Sequence, residues 1–212
     1  MATKTRRRSS VPVVPIVFVV VVIALIAAFV LSTRPSGAEA EAAFGEPTIE
    51  GEALPPHDGE PLDDPVIGET APEFSGADHD GEPVDVTWDG TPKLLLFLAH
   101  WCPACQAEVP WIQDAVDAGE IPDEIELVSI TTWTDDSRAE FPPQAWLESE
   151  GWTVTNLADD EDFSAADAYG MTATPYWVLV DGDGTVIARI PGGIGEEQFP
   201  ALLEEFVADT EG

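Results

Sequence analysis

The chain predicts an α/β domain: a central mixed β-sheet with helices on both faces, preceded by an N-terminal β-hairpin and a single transmembrane helix. Three observations predict it. Between residues 66 and 212, short apolar runs alternate with segments of helical periodicity, and the alternation closes on a hairpin and a last helix. The apolar run Leu94–Leu98 leads directly into the only two cysteines, Cys102 and Cys105, at the start of one such helical segment. Near the N-terminus, a long uncharged stretch follows a basic tail.

Taken in order, residues 1–10 carry Lys4, Arg6, Arg7 and Arg8 and no acid, and read as a cytoplasmic tail. Residues 11–31 carry no charge, and from Ile16 to Leu31 every residue is apolar. Twenty-one helical residues span roughly 31 Å, the thickness of the hydrocarbon core. The basic flank orients this anchor with everything after it outside the cytoplasm. A cleaved signal peptide is the alternative, but its apolar region is normally only about 7–15 residues long. Residues 32–65 are acidic, contain six prolines and have almost no large apolar side chains. That composition predicts an extended linker of at most about 110–120 Å.

Residues 66–212 are enough for one domain with its own core. Pro72–Phe74 and Val84–Val86 flank Asp80-Gly81 and predict a hairpin. Leu94–Ala99 is a buried central strand. Pro103–Ala118 is a helix with Val109, Ile112 and Val116 on one face, and Pro110 should kink it. Ile125–Thr131 is a second buried strand, and a helix from about Pro142 to Glu150 has prolines suited to its first turn. A short helix over 162–169 ends at Gly170. Tyr176–Val180 and Thr185–Ile190 flank the turn Asp181–Gly184, and Glu196–Ala208 is the last helix. The Asp181–Gly184 turn and the acids Asp159–Asp162 lack the full calcium-loop pattern and read as a turn and a helix start.

Segment 35–212 holds 41 acids against three bases, a formal net charge of −38. Such a balance opposes nucleic-acid binding and adhesion to anionic lipid, and it keeps the domain soluble.

Two cysteines in one CxxC do not make a secreted disulfide scaffold, which spaces several cysteines widely. A zinc site needs a second ligand pair, and His57, His79 and His100 do not supply one. A disulfide across two residues closes too small a loop to stabilise much. A redox pair remains. Strand, CxxC and helix in that order put the first cysteine where unpaired N–H groups and the dipole favour a thiolate.

Trp101-Cys102-Pro103-Ala104-Cys105-Gln106-Ala107-Glu108-Val109-Pro110 resembles the WCxxCxxExP segment of the TlpA/ResA-like branch of the thioredoxin superfamily. Gly68–Phe74 resembles that branch's GxxAPxF segment, and Tyr169–Pro175 with Val180–Gly184 resembles its YGVxGTPxxFLIDxxG segment. The resemblance covers roughly residues 66–210 and implies a thioredoxin-like fold. It also implies an anchored, extracytoplasmic thiol–disulfide oxidoreductase, often a reductant, for example of apocytochrome c thiols. Cys102 is then the exposed nucleophile and Cys105 the resolving thiol. Glu108, on the helix face of Cys105, is a buried acid that tunes the pair and handles protons. Thr174-Pro175 resembles the cis-proline loop that pairs with an incoming peptide.

Three departures stand out. Leu96 lies where thioredoxin itself has an acid in the strand before CxxC. His100 is either a cation that lowers the Cys102 pKa or a solvent-facing loop residue. Pro103-Ala104 lacks the histidine of strong oxidants. Trp101, Trp111 and Trp133 are candidates for an apolar docking surface, Trp101 foremost.

Three functions compete. The first is a disulfide reductase of exported proteins, supplied by a membrane electron donor because the chain has no cofactor motif or further cysteine of its own. The second is a disulfide-forming oxidase or isomerase, since direction depends on reduction potential. The third is a copper-delivery protein, disfavoured because that type uses CxxxC with a distal histidine. A peroxiredoxin-type peroxidase would need Thr or Ser where Ala99 stands.

Overall fold

Six consecutive buried residues, Lys93–Leu98, form a strand with both faces covered, and the rest of the fold is arranged to cover them. The computed structural model describes residues 22–23, 37–58 and 64–210. The predicted cytoplasmic tail lies outside these residues, as does the predicted transmembrane span except for Val22 and Ile23. Among the described residues, no helix is long and apolar enough to cross a membrane.

From Gly37 the elements are α1 (Gly37–Glu41), β1 (Thr48–Glu50), β2 (Glu73–Ala77), β3 (Pro83–Val86), β4 (Lys93–Leu98), α2 (Pro103–Asp117) and β5 (Glu126–Thr131). They continue as α3 (Pro143–Ser149), β6 (Asn156–Ala158), α4 (Ser164–Ala168), β7 (Tyr176–Val180), β8 (Val186–Pro191) and α5 (Phe199–Thr210). Strands β1, β2 and β3 form a small antiparallel sheet. The main sheet has the order β6-β5-β4-β7-β8, parallel across β6, β5 and β4 and antiparallel across β4, β7 and β8. It is the mixed sheet that the sequence predicts, and α2 continues through Pro110 as one element.

Side chains alternate across β4, so its two faces build two cores. Leu94, Leu96 and Leu98 pack with Val109 and Ile112 of α2, Trp146 and Leu147 of α3, and Phe199, Leu203 and Phe206 of α5. Leu95 and Phe97 pack with Val128, Ile130 and Tyr169, with Ala165 and Ala166 of α4, and with Phe74, Val84 and Val86 of the small sheet. Helices therefore cover both faces, with the small sheet completing the second.

The expected linker is corrected from Gly37 onward. Ile49 of β1 pairs with Phe74, which extends the predicted hairpin to three strands. Leu54 is buried, its N–H donates to Ala168 O at 2.8 Å, and the His57 N–H donates to Gly170 O at 2.9 Å. Gly170 has φ +63°, and a Cβ there would lie 2.2 Å from Pro55 O, so the chain passes where only glycine leaves room. The buried Arg189 of β8 donates to Asp64 through Nε and Nη2, both at 2.7 Å, and through Nη1 to Pro55 O at 2.7 Å. Composition missed this attachment because it uses one leucine, backbone hydrogen bonds and one ion pair rather than an apolar run.

Candidate active site

The chain leaves β4 and turns at once into α2. The Cys102 N–H donates to Ala99 O at 3.0 Å, and Cys102 caps α2 with φ −79° and ψ 120°. Pro103 sits in the first turn, where its missing N–H costs nothing. Both cysteines are free thiols. The Cys102 thiol is brought down to about 6, chiefly by a hydrogen bond from the Cys105 thiol. Burial opposes this, while the N–H groups of Cys105 and Ala104 and the Thr174 contact reinforce it. Cys105 is pushed up, first by burial and then by its neighbour Cys102.

The sequence predicts an exposed Cys102, but the structure buries it at 6 % exposure, against 0 % for Cys105. The cover is the loop before β7. Phe97 pairs with Tyr176, which brings Thr174 and Pro175 to the end of β4. The Thr174–Pro175 bond is cis, as the resemblance implies. Cys102 Sγ donates to Thr174 O at 3.2 Å, and Cys105 Sγ lies 3.1 Å from Thr174 Oγ1.

Glu108 follows Cys105 by nearly one turn of α2 and is buried, at 5 % exposure. Burial pushes its carboxyl up, and the N–H groups of Gly195 and Ile194 and the Trp177 indole act against that. The Gly195 N–H donates to Oε1 at 3.2 Å. The sequence reading missed Trp177 and the glycine loop. The signal for Trp177 is register: it pairs with Leu96, the residue standing where an acid is absent from β4.

The loop between β5 and α3 flanks the cysteines. Trp133 and Glu140 have φ +48° and +59°, strained backbone of the kind found beside functional sites. The Trp101 indole donates to Trp133 O at 2.7 Å, and Arg138 lies 4.6 Å from the Trp101 ring centre. His100 is fully buried and fits neither sequence expectation. Its Nδ1 donates to Ala139 O at 2.7 Å, and its Nε2 accepts the Asp135 N–H at 3.2 Å. These partners define a neutral imidazole, and burial pushes its pKa down. It secures the loop instead of polarising Cys102. Trp111 is half-buried and packs on Phe199 at 5.2 Å against one core, while Trp133 is half-buried between the two cores. Asp159 accepts the Ala165 and Ala166 N–H groups at 2.9 and 3.2 Å, so it secures the start of α4. Asp181 Oδ1 accepts the Asp183 and Thr185 N–H groups within the β7–β8 turn.

Known proteins match this arrangement. The thiol:disulfide interchange protein HelX of Rhodobacter capsulatus is 30% identical over 124 residues, covering 58% of this chain and 64% of that protein. The thiol-disulfide oxidoreductase ResA of Halalkalibacterium halodurans is 25% identical over 142 residues, covering 66% of this chain and 74% of that protein. The chain spans less than two thirds of the HelX protein and of the methylamine utilization proteins MauD that it also matches. A secreted Mycobacterium tuberculosis disulfide oxidoreductase shares the fold, with a TM-score of 0.52 at 24% identity over 62% of this chain and 95% of that one. The fold is thioredoxin-like. A family model described as AhpC/TSA matches residues 67–189, from the turn before β2 to Arg189 of β8 and across the whole cysteine site. With more than half of its length inside that match, the chain belongs to the AhpC/TSA family.

Proposed function

We propose that this protein is an extracytoplasmic thiol–disulfide oxidoreductase that reduces disulfides in exported proteins, apocytochrome c among them. One observation carries the reading. Cys102 is a thiol brought down to about 6 at the start of α2, with a buried, high-pKa Cys105 3.1 Å from the Thr174 hydroxyl. The Cys102 thiolate attacks one sulfur of a client disulfide, the client S–S bond breaks, and the other client sulfur leaves as a thiolate that takes a proton. Cys105 then gives up its proton and attacks Cys102 Sγ. The second client sulfur leaves with its electron pair and is protonated. Two electrons have passed to the client, and the Cys102–Cys105 disulfide awaits a membrane dithiol donor. Glu108 takes the proton from Cys105. Trp101, Thr174 and Pro175 receive the client chain.

Residues 11–31 are proposed as the anchor, with residues 1–10 in the cytoplasm. The uncharged 21-residue run and its basic flank support that placement.

A second reading, disulfide formation, draws on the same Cys102. A depressed thiol pKa stabilises the reduced form and raises the potential. The reduction potential of the Cys102–Cys105 pair, read by equilibration with glutathione or dithiothreitol, separates the two. A value near or below about −250 mV supports the reductase, and one near about −120 mV supports the oxidant. Cys105→Ala should trap mixed disulfides with clients and Cys102→Ala should not; equal trapping by both overturns the assignment of roles.

A further inference from the structure

The two carboxyl oxygens of Glu108 have different surroundings. Oε1 is held from the loop after β8, where Gly195 donates to it and Gly193 stands so close that a Cβ would lie 2.6 Å away. The same loop is tied to the client side of the site, because the Gly192 N–H donates to Pro175 O at 2.8 Å. Oε2 is buried and has no hydrogen-bond partner. The Trp177 indole nitrogen is also buried and has none, although the indole acts on this carboxyl and favours its ionised form. A buried donor and a buried acceptor left unpaired beside each other need an explanation.

Protonation supplies one. A neutral carboxyl that carries its proton on Oε2 offers the indole N–H only the weak acceptor of a hydroxyl oxygen. Once ionised, Oε2 becomes a strong acceptor, and the indole N–H is the donor beside it. We infer that Trp177 is a positioning residue for Glu108: its N–H closes onto Oε2 when the carboxyl ionises, and so holds in place the base that receives the Cys105 proton. The inference rests on the proton-handling role proposed above for Glu108. In the step concerned, the Cys105 proton moves to the carboxylate, the sulfur lone pair forms the bond to Cys102 Sγ, and the client sulfur leaves with the electrons of the broken bond. Cys102, which caps α2, is the charged group acting on Glu108. On the same side of the sheet, β4 brings Leu96, β7 brings Trp177 and α5 brings Phe199, while the loop after β8 brings backbone N–H groups.

The test uses the full-length protein and its Cys102–glutathione mixed disulfide, with glutathione release followed as a function of pH. Trp177→Phe keeps an aromatic ring against Phe199, which lies 5.7 Å from Trp177, and removes the donor with part of the ring. It should slow release about tenfold at pH 7, as loss of a hydrogen bond to a charged group does, and move the inflection to higher pH. Glu108→Gln should abolish the inflection. A wild-type profile in Trp177→Phe beside a flattened one in Glu108→Gln overturns the role of Trp177 and leaves that of Glu108 standing. An unchanged profile in Glu108→Gln overturns both. The unmutated protein gives an independent reading: the Trp177 indole N–H resonance should titrate with Glu108 and lose that titration in Glu108→Gln. An indole resonance that does not move overturns the inference.

Discussion

Cys102 and Cys105 are three positions apart and meet opposite environments. Cys102 has the free N–H groups of a helix start and a thiol donor, while Cys105 is raised first by burial and then by its neighbour Cys102. The nucleophilic form of Cys102 is the thiolate, which exists above the pKa. Iodoacetamide alkylation of the reduced protein should therefore rise with pH through about 6 and level off before an ordinary thiol has begun to react. A rate that keeps rising past pH 8 would place Cys102 among ordinary thiols. The two cysteines were legible in the sequence as a CxxC following an apolar run, and Glu108 through the family resemblance together with its place on the helix face of Cys105. His100 was not, because its partners Ala139 and Asp135 come from a loop whose path no local pattern states. Trp177 was hidden for a related reason: only the register of β7 on β4 places it beside Leu96.

At the level of elements, the long runs were legible and the short ones were not. The strands β4, β5 and β7 carry five or six residues of continuous or nearly continuous burial, and α2 has a clear apolar face. By contrast, β1 and β6 have three residues each, too few to show a period. The attachment at Leu54, Pro55, His57 and Asp64 shows no apolar pattern, and it depends on Arg189. Burial raises the Asp64 pKa, but hydrogen bonds from Arg189 and Val66 and the guanidinium charge bring it below its ordinary value. A carboxylate depressed on folding adds stability above its unfolded pKa and loses it as pH falls through the folded one. Arg189→Met leaves Asp64 buried without its partner and should cost about 3–5 kcal/mol in chemical denaturation. Pairing it with Asp64→Leu should recover most of that loss, because two apolar side chains carry no uncompensated charge. Equal stability of Arg189→Met and the wild type would show that this attachment holds by its backbone hydrogen bonds alone.

For the whole molecule, the alternation of strands and helices was enough to predict a mixed sheet covered on both faces, because few layer arrangements bury such a pattern. The domain boundary was not legible, since backbone hydrogen bonds from residues 37–58 and one ion pair at Asp64 make the attachment without changing the acidic composition. Charge was legible as a total but not as a distribution. Of the three bases after residue 35, Lys93 and Arg189 are buried against carboxylates, and Arg138 alone among the described residues is exposed. This distribution determines how a protease sees the folded protein. Trypsin needs a lysine or arginine it can reach, and in the native domain it finds one in the loop beside Trp101. Within the domain, brief digestion should give a single nick after Arg138 and two domain fragments that stay associated until denatured. The first bond of the domain to break would lie in the wall of the cysteine site, so loss of activity and loss of the intact domain should run at one rate.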